Sequence, residues 1–237
     1  MSDQYNNEVS KHYAAYRPPI HQRILELILK DRETSVLGLD IGCGTGVSTQ
    51  ALSPYCAEVL GVEPSEAMLS QAQQVSNGRY LQGDGETIPL AASCADLVTF
   101  AGSLYYAKSA ALVEELRRVT TDGALIVVYD FEVQLSGFMQ QLGIELPSSS
   151  SGYDHEINFS DCQQMKQWRC EQLRVELTLS SQQLAHVLFS SSTRYQYLLE
   201  KFGQQETFER VLDALNQVSD EHLVSVDCYF STYSFAV

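Results

Sequence analysis

Apolar positions recur along this chain at two spacings, and the alternation between them predicts the elements. Ile20, Ile24, Leu27 and Ile28 fall on one face of a helix that starts about residue 20. Val36, Leu37, Leu39 and Ile41 form a short apolar run with β propensity, predicting a strand over 36–41. A helix over 46–53 and a strand over 58–62 follow. Ser65 is placed to cap a helix over 66–75 in which Met68 faces inward. Strands are predicted over 79–82 and 95–100, and a helix over 108–119 buries Leu112, Leu116 and Val119. Asp122-Gly123 reads as a turn into a strand over 125–129. Strands alternating with helices predict a doubly wound α/β sheet.

After Phe131 the pattern changes. A helix is predicted over 133–142, and P-S-S-S-S-G over 147–152 reads as a surface loop. Residues 171–179 alternate like a strand with one wetter face, and helices are predicted over 181–189, 193–201 and 204–217. Residues 223–236 alternate again and predict one or two antiparallel edge strands. The chain therefore divides into a leader and core over 1–132, a mainly helical insert over 133–222, and closing strands over 223–237. The insert is too long for a simple connection and reads as a substrate cover. Its polar and aromatic stock is His155, Trp168, His186, Arg194, Tyr195 and Tyr197, with Trp168 as a core anchor.

Composition narrows the partners. The 237 residues are 44% hydrophobic, enough to fill a core. Acidic residues outnumber basic ones by 30 to 15, a formal charge of -15 that repels nucleic-acid backbones. Cys43, Cys56, Cys94, Cys162, Cys170 and Cys228 lack the close pairing of a zinc site and suit reduced thiols in a cytoplasmic setting. The polar start is no signal peptide, and no apolar run approaches membrane-spanning length. The expected partner is a small-molecule substrate, with no nucleic acid, no membrane and no metal, on a monomer or homodimer.

The chemistry centres on V-L-G-L-D-I-G-C-G-T-G (36–46), where Gly42, Gly44 and Gly46 follow an apolar strand and precede a helix. Such a turn lets a ligand approach the backbone at a helix N-terminus. Glu63 ends the second strand, where a carboxylate can accept from both ribose hydroxyls of an adenosine. The run is G-x-G-x-G and not the G-x-G-x-x-G of nicotinamide proteins, so a nicotinamide oxidoreductase is the weaker reading. With Asp40 ahead of it, the run resembles the first motif of the class I S-adenosylmethionine-dependent methyltransferases. E-P-S-E-A-M-L (63–69), G-D-G-E (83–86) before I-P-L, and L-R-R-V-T-T-D-G-A-L-I-V (116–127) resemble further motifs in the same order. The resemblance covers about residues 10–132 and is of the small-molecule type.

It implies a Rossmann-like seven-stranded, mostly parallel sheet with its last strand antiparallel, and S-adenosylmethionine as cofactor with S-adenosylhomocysteine as product. Gly42, Cys43, Gly44 and Gly46 are implied to cradle the methionine end and Asp40 to support that loop. Glu63 takes the ribose, and Pro64, Ser65 and Met68 flank the adenine. Asp84, Gly85 and Glu86 meet its edge, and the Ala101 carbonyl holds the methionine amine. The form Y-x-x-Y-R-P (13–18) resembles a leader that folds over such a site, so Tyr16 and Arg17 are cofactor candidates, although a packed leader segment fits equally. Displacement at a sulfonium needs a base only if the acceptor must lose a proton, and His12, Tyr13, Tyr105 and His155 are the candidates. Asp130, ending the fifth strand, reads as a substrate contact or a plain cap. A non-catalytic adenosyl-ligand-binding protein and a protein methyltransferase are the alternatives on the same fold.

Overall fold

The computed structural model describes Val9, Lys11, His12 and residues 15–147 and 152–236. Seven strands form one sheet in the order β3-β2-β1-β4-β5-β7-β6. They are β1 (Ser35–Ile41), β2 (Cys56–Glu63), β3 (Gly78–Gln82), β4 (Ala95–Ala101), β5 (Thr120–Val133), β6 (Met165–Ser180) and β7 (Glu221–Phe235). β1 pairs in parallel with β2 and β4, β2 with β3, and β4 with β5. β7 is the antiparallel last strand. The helices are α1 (Ile20–Leu29), α2 (Val47–Leu52), α3 (Glu66–Leu69), α4 (Leu104–Ala107), α5 (Ala110–Val119), α6 (Ser136–Gln141), α7 (Ser181–Phe189), α8 (Ser192–Phe202) and α9 (Thr207–Asn216).

Strand order reverses between β1 and β4. The chain leaves β1 toward β2 and β3, then returns to build β4 on the other side. The crevice at the carboxyl ends of those two strands is where such sheets bind ligands. The central strands are buried on both faces: Leu39, Ile41, Leu60, Val62, Val98, Phe100, Ile126 and Val128 form the core with Leu112, Leu116 and Val119 of α5. Phe159 sits edge-on to both Phe100 and Tyr233 and closes this cluster.

The chain forms two compact units. One comprises residues 19–131, 152–173 and 228–236 and contains this core. The other comprises the described residues among 1–18 and 132–151 together with 174–227. Within it α7, α8 and α9 pack on one another. A capping box at Ser180 and Gln183 starts α7, and the half-buried Arg194 donates to the Val187 and Leu188 carbonyls at its end. Burial lowers the Arg194 pKa to about 10.

Several local expectations are corrected. The helix expected over 66–75 stops at Leu69, because Gln71 and Ala72 make tighter i−3 bonds and the Gln73 N–H turns to the Thr45 carbonyl. Met68 is consequently 47% exposed and does not face inward. α1 buries Leu25 and Leu29 with Ile20 and Ile24, leaving Leu27 exposed, so its apolar face is rotated from the expected one. Asp122-Gly123 does not precede the fifth strand but lies within it, as an irregularity where the β4–β5 register shifts. Residues 223–235 lie in one strand with neighbours on both sides, and the sheet edge on that side is β6. Trp168 lies on that edge, 57% exposed, with the Lys166 ammonium over its ring, and anchors no core.

Candidate active site

β1 ends at Ile41, and the next residues are tied to the neighbouring strand. The Gly42 and Cys43 N–H groups both donate to the Val62 carbonyl, at 2.8 and 3.1 Å. Ser103 Oγ donates to the Ile41 carbonyl at 2.5 Å, pinning the loop to the tip of β4. A Cβ on Gly42 would lie 2.4 Å from that of Ser103, so glycine permits the approach. Gly46, at φ 81°, precedes α2, and a Cβ there would lie 2.3 Å from Tyr80 Oη. Gly44 differs: its Cβ direction is open except for Met68 Sδ at 3.7 Å.

Two carboxylates organise this loop. Asp40 is fully buried and accepts from Ser48 Oγ (2.6 Å), Thr49 Oγ1 (2.7 Å) and Thr99 Oγ1 (2.8 Å). It thereby joins β1, the first turn of α2 and β4. Burial is the main cause of its raised pKa, which the three hydroxyls oppose. Glu63 is 7% exposed, at the end of β2. Its Oε2 accepts from the Gly44 N–H and its Oε1 from the Ser65 N–H, each at 3.0 Å. Cys43 is buried between the two acids, and desolvation followed by their charges pushes its thiol up to about 12. It is a packed thiol, not a nucleophile.

Pro64 and Met68 are exposed beside this carboxylate, and Ser65 Oγ accepts from the Met68 N–H at 3.3 Å. Asp84 Oδ1 accepts from the Glu86 and Thr87 N–H groups, which shapes the turn after β3. Gly85 is buried, and a Cβ there would lie 2.9 Å from Leu112 Cδ1. Glu115 accepts from the Ile88 N–H while Arg118 donates to the Ile88 and Leu90 carbonyls, so α5 braces the loop from outside. Ala101 is half-buried at the tip of β4.

A second cluster lies past the tip of β4, around Asp130, which does not end the fifth strand as expected but sits inside it, because β5 continues to Val133. Asp130 Oδ1 accepts from its neighbour Phe131 N–H, and Oδ2 lies 2.8 Å from Tyr153 Oη and 3.0 Å from His155 Nδ1. Tyr153 Oη is also 2.8 Å from the Gly102 carbonyl. Burial first, then the Asp130 charge, raises the Tyr153 pKa, so this hydroxyl stays protonated and donates. Tyr105 packs on Tyr153 with ring centroids 4.5 Å apart and donates to the Gly152 carbonyl. His155 stacks on Tyr229 at 5.8 Å and lines a cleft of about 220 Å³ with residues of β5, β6 and β7.

The structure thus gathers Asp40, Gly42, Cys43, Gly44, Gly46, Glu63, Ser65 and Met68 at one corner, and His155 and Tyr105 around Asp130. His12 belongs to the helical unit, its Nδ1 3.0 Å from that of His186 and its ring stacked on Phe208. Tyr16 and Arg17 lie in the same unit, half-buried. Tyr13 lies outside the described residues. Sequence reasoning missed Ser48, Thr49 and Thr99 around Asp40, and Tyr153. The signals available were the adjacent hydroxyls opening α2 and the Y-x-H spacing of Tyr153 and His155.

Residues 39–128 match the protein-family profile described as a methyltransferase domain. A candidate methyltransferase of Dictyostelium discoideum is 27% identical over 124 residues, 52% of this chain and 47% of that protein. A malonyl-[acyl-carrier protein] O-methyltransferase of Yersinia pestis is 30% identical over 153 residues, 63% of this chain and 55% of that one. The chain spans about half the length of the curated relatives it matches. In fold it is similar to a solved structure of a candidate type II methyltransferase from Anaeromyxobacter dehalogenans. That likeness has a TM-score of 0.61 at 19% identity and covers 92% of this chain and 97% of that one.

Proposed function

This chain belongs to the class I S-adenosylmethionine-dependent methyltransferases, and from that premise we propose that it methylates a small molecule, with S-adenosylmethionine held at the tips of β1 and β2. One observation carries the reading: the Glu63 carboxylate sits at the end of β2 beside an uncrowded glycine and an exposed thioether. Each carboxylate oxygen accepts one backbone N–H and keeps a further lone pair. Those lone pairs suit the two ribose hydroxyls. Gly44 leaves room for a chain atom of the ligand, and Met68 offers an apolar wall to a purine. Asp84 stands at the adenine edge, where its Oδ1 is already committed to the turn. Asp40, fully buried, holds the loop in shape rather than meeting the ligand.

When bound, the sulfonium supplies a methyl carbon activated for in-line displacement. The protein's part is to position, to exclude water and to accept a proton where the acceptor has one to lose. The formal charge of -15 favours a small acceptor over nucleic acid.

Calorimetry of the full chain with S-adenosylmethionine and S-adenosylhomocysteine tests the site. Binding is expected, and Glu63→Ala is expected to weaken it by about 10–100-fold, the loss of one or two hydrogen bonds to a charged acceptor. Unchanged affinity in that variant would remove Glu63 from the site, and absence of binding by the folded wild type would remove the proposal.

A further inference from the structure

We propose that Asp130 and His155 form a general-base pair serving an aromatic hydroxyl acceptor, making the reaction an O-methylation of a phenol. This assignment rests on the methyl-transfer reading above and adds the acceptor class and the proton's destination.

The geometry fixes the tautomer. An ionised Asp130 can only accept, and its Oδ2 lies 3.0 Å from His155 Nδ1. Nδ1 therefore carries the hydrogen, and the lone pair is on Nε2. Nε2, on the far side of the ring, meets no protein partner among the described residues. The ring is held from two further sides, edge-on by Tyr153 and face-to-face by Tyr229. Asp130 is itself held by the Phe131 N–H and the Tyr153 hydroxyl. Its side chain is 15% exposed and that of His155 is 30% exposed. A carboxylate, an oriented imidazole and a partly exposed ring lining a cleft are the parts a proton acceptor needs.

The surroundings select the acceptor. Tyr105 and Tyr106 stand beside Tyr153, 39% and 79% exposed, and offer ring faces to a planar molecule. Ile157 adds apolar surface in the cleft that His155 lines, as does Phe230, whose ring also carries the Arg169 guanidinium 4.8 Å from its centroid. That lining contains Glu156 and Glu171 and no lysine or arginine, and the nearby Arg169 is paired to Glu171. A carboxylate acceptor would meet the like charges of Glu156 and Asp130, with the Arg169 cation already committed to Glu171, and would need no base. An ammonium would be held by these acids in its protonated, non-nucleophilic form. A neutral phenol avoids both penalties and gains most from a base.

The step balances. The acceptor O–H bond breaks and its proton moves to Nε2. The oxygen's electron pair forms the bond to the methyl carbon as the carbon–sulfur bond breaks, its pair staying on sulfur. A methyl ether, a neutral thioether and one proton on His155 result, and that proton passes to water.

The test uses phenols of graded acidity, from unsubstituted phenol to 4-nitrophenol, with S-adenosylhomocysteine release as readout. Wild type is expected to turn over both. His155→Gln is expected to lose about 100-fold or more on phenol, the usual contribution of a general base. Assayed in mildly alkaline buffer, where 4-nitrophenol is mostly ionised and needs no base, it should lose less than about 5-fold on that acceptor. Asp130→Asn should show the same selective pattern. A second readout needs no cofactor: 4-nitrophenol bound to the wild-type chain in mildly acidic buffer should move toward its phenolate spectrum, and His155→Gln should abolish the move. Equal losses on both phenols would make His155 merely structural and overturn the assignment. So would turnover confined to amines or carboxylates, which leaves the methyl-transfer reading standing. Failure of the folded wild type to bind S-adenosylmethionine would instead end both.

Discussion

Alanine placed at two glycines of one loop should fail in two different ways. Gly44 and Gly46 both hold positive φ, 55° and 81°. Each alanine there costs about 1–2 kcal/mol for the left-handed backbone, offset by about 0.4–1 kcal/mol of lost freedom in the unfolded chain. At Gly44 nothing lies closer to the new methyl than Met68 Sδ at 3.7 Å, so the net penalty stays near 1 kcal/mol. At Gly46 the methyl would lie 2.3 Å from Tyr80 Oη and 2.8 Å from Cζ. The ring must move, which breaks its 2.8 Å bond to the Gln73 carbonyl. Overpacking adds about 1–3 kcal/mol and the lost bond about 1 kcal/mol, for a total of about 3–5 kcal/mol. Urea unfolding followed by circular dichroism reads the stabilities, and calorimetry with S-adenosylhomocysteine reads the site. Gly44→Ala should unfold near the wild-type midpoint yet bind at least about 10-fold more weakly, a loss of about 1.4 kcal/mol. Gly46→Ala should lose stability first. Equal stabilities, or a Gly44→Ala protein with wild-type affinity, would refute the division of labour between these glycines.

Asp40 makes stability depend on pH. Burial raises its folded pKa above the ordinary aspartate value, so its favourable contribution is fully present below that ordinary value. The contribution is lost as pH rises through the folded value. Urea midpoints should therefore fall for wild type relative to Asp40→Asn, whose side chain never ionises, as pH rises above the ordinary aspartate value, and a parallel pair of curves would contradict the linkage. Cys43, buried and pushed up to about 12, should resist iodoacetamide at neutral pH, whereas the exposed Cys170 should alkylate. Mass spectrometry showing Cys43 labelled first in the folded chain would disprove its burial.

Much of the fold was legible in the residues because its signals are local. An apolar run of four to seven residues with β propensity needs little context, and β1, β2 and β4 lie where that pattern put them. α7 matches its predicted span to the residue because Ser180 and Gln183 close a capping box within one turn. Glycines spaced through the β1–α2 turn and an acid at the end of β2 were readable as parts of one corner for the same reason, and the structure brings the Glu63 carboxylate to the Gly44 N–H. The helix after Glu63 was misjudged because its length is set by the Gln73 N–H finding the Thr45 carbonyl, a partner far along the chain.

The sequence by itself determined the parallel core, the corner at the tips of β1 and β2 and the acid that stands in it, since each depends on residues only a few positions apart. Tertiary structure alone decided that Asp40 is enclosed by Ser48, Thr49 and Thr99, that β7 runs inside the sheet while β6 forms its edge, and that Asp130 meets Tyr153 and His155. Those contacts join separate strands and loops. A hydrogen bond between residues 23 or 59 positions apart leaves no trace in local spacing, because only the folded chain brings its two ends within 3 Å.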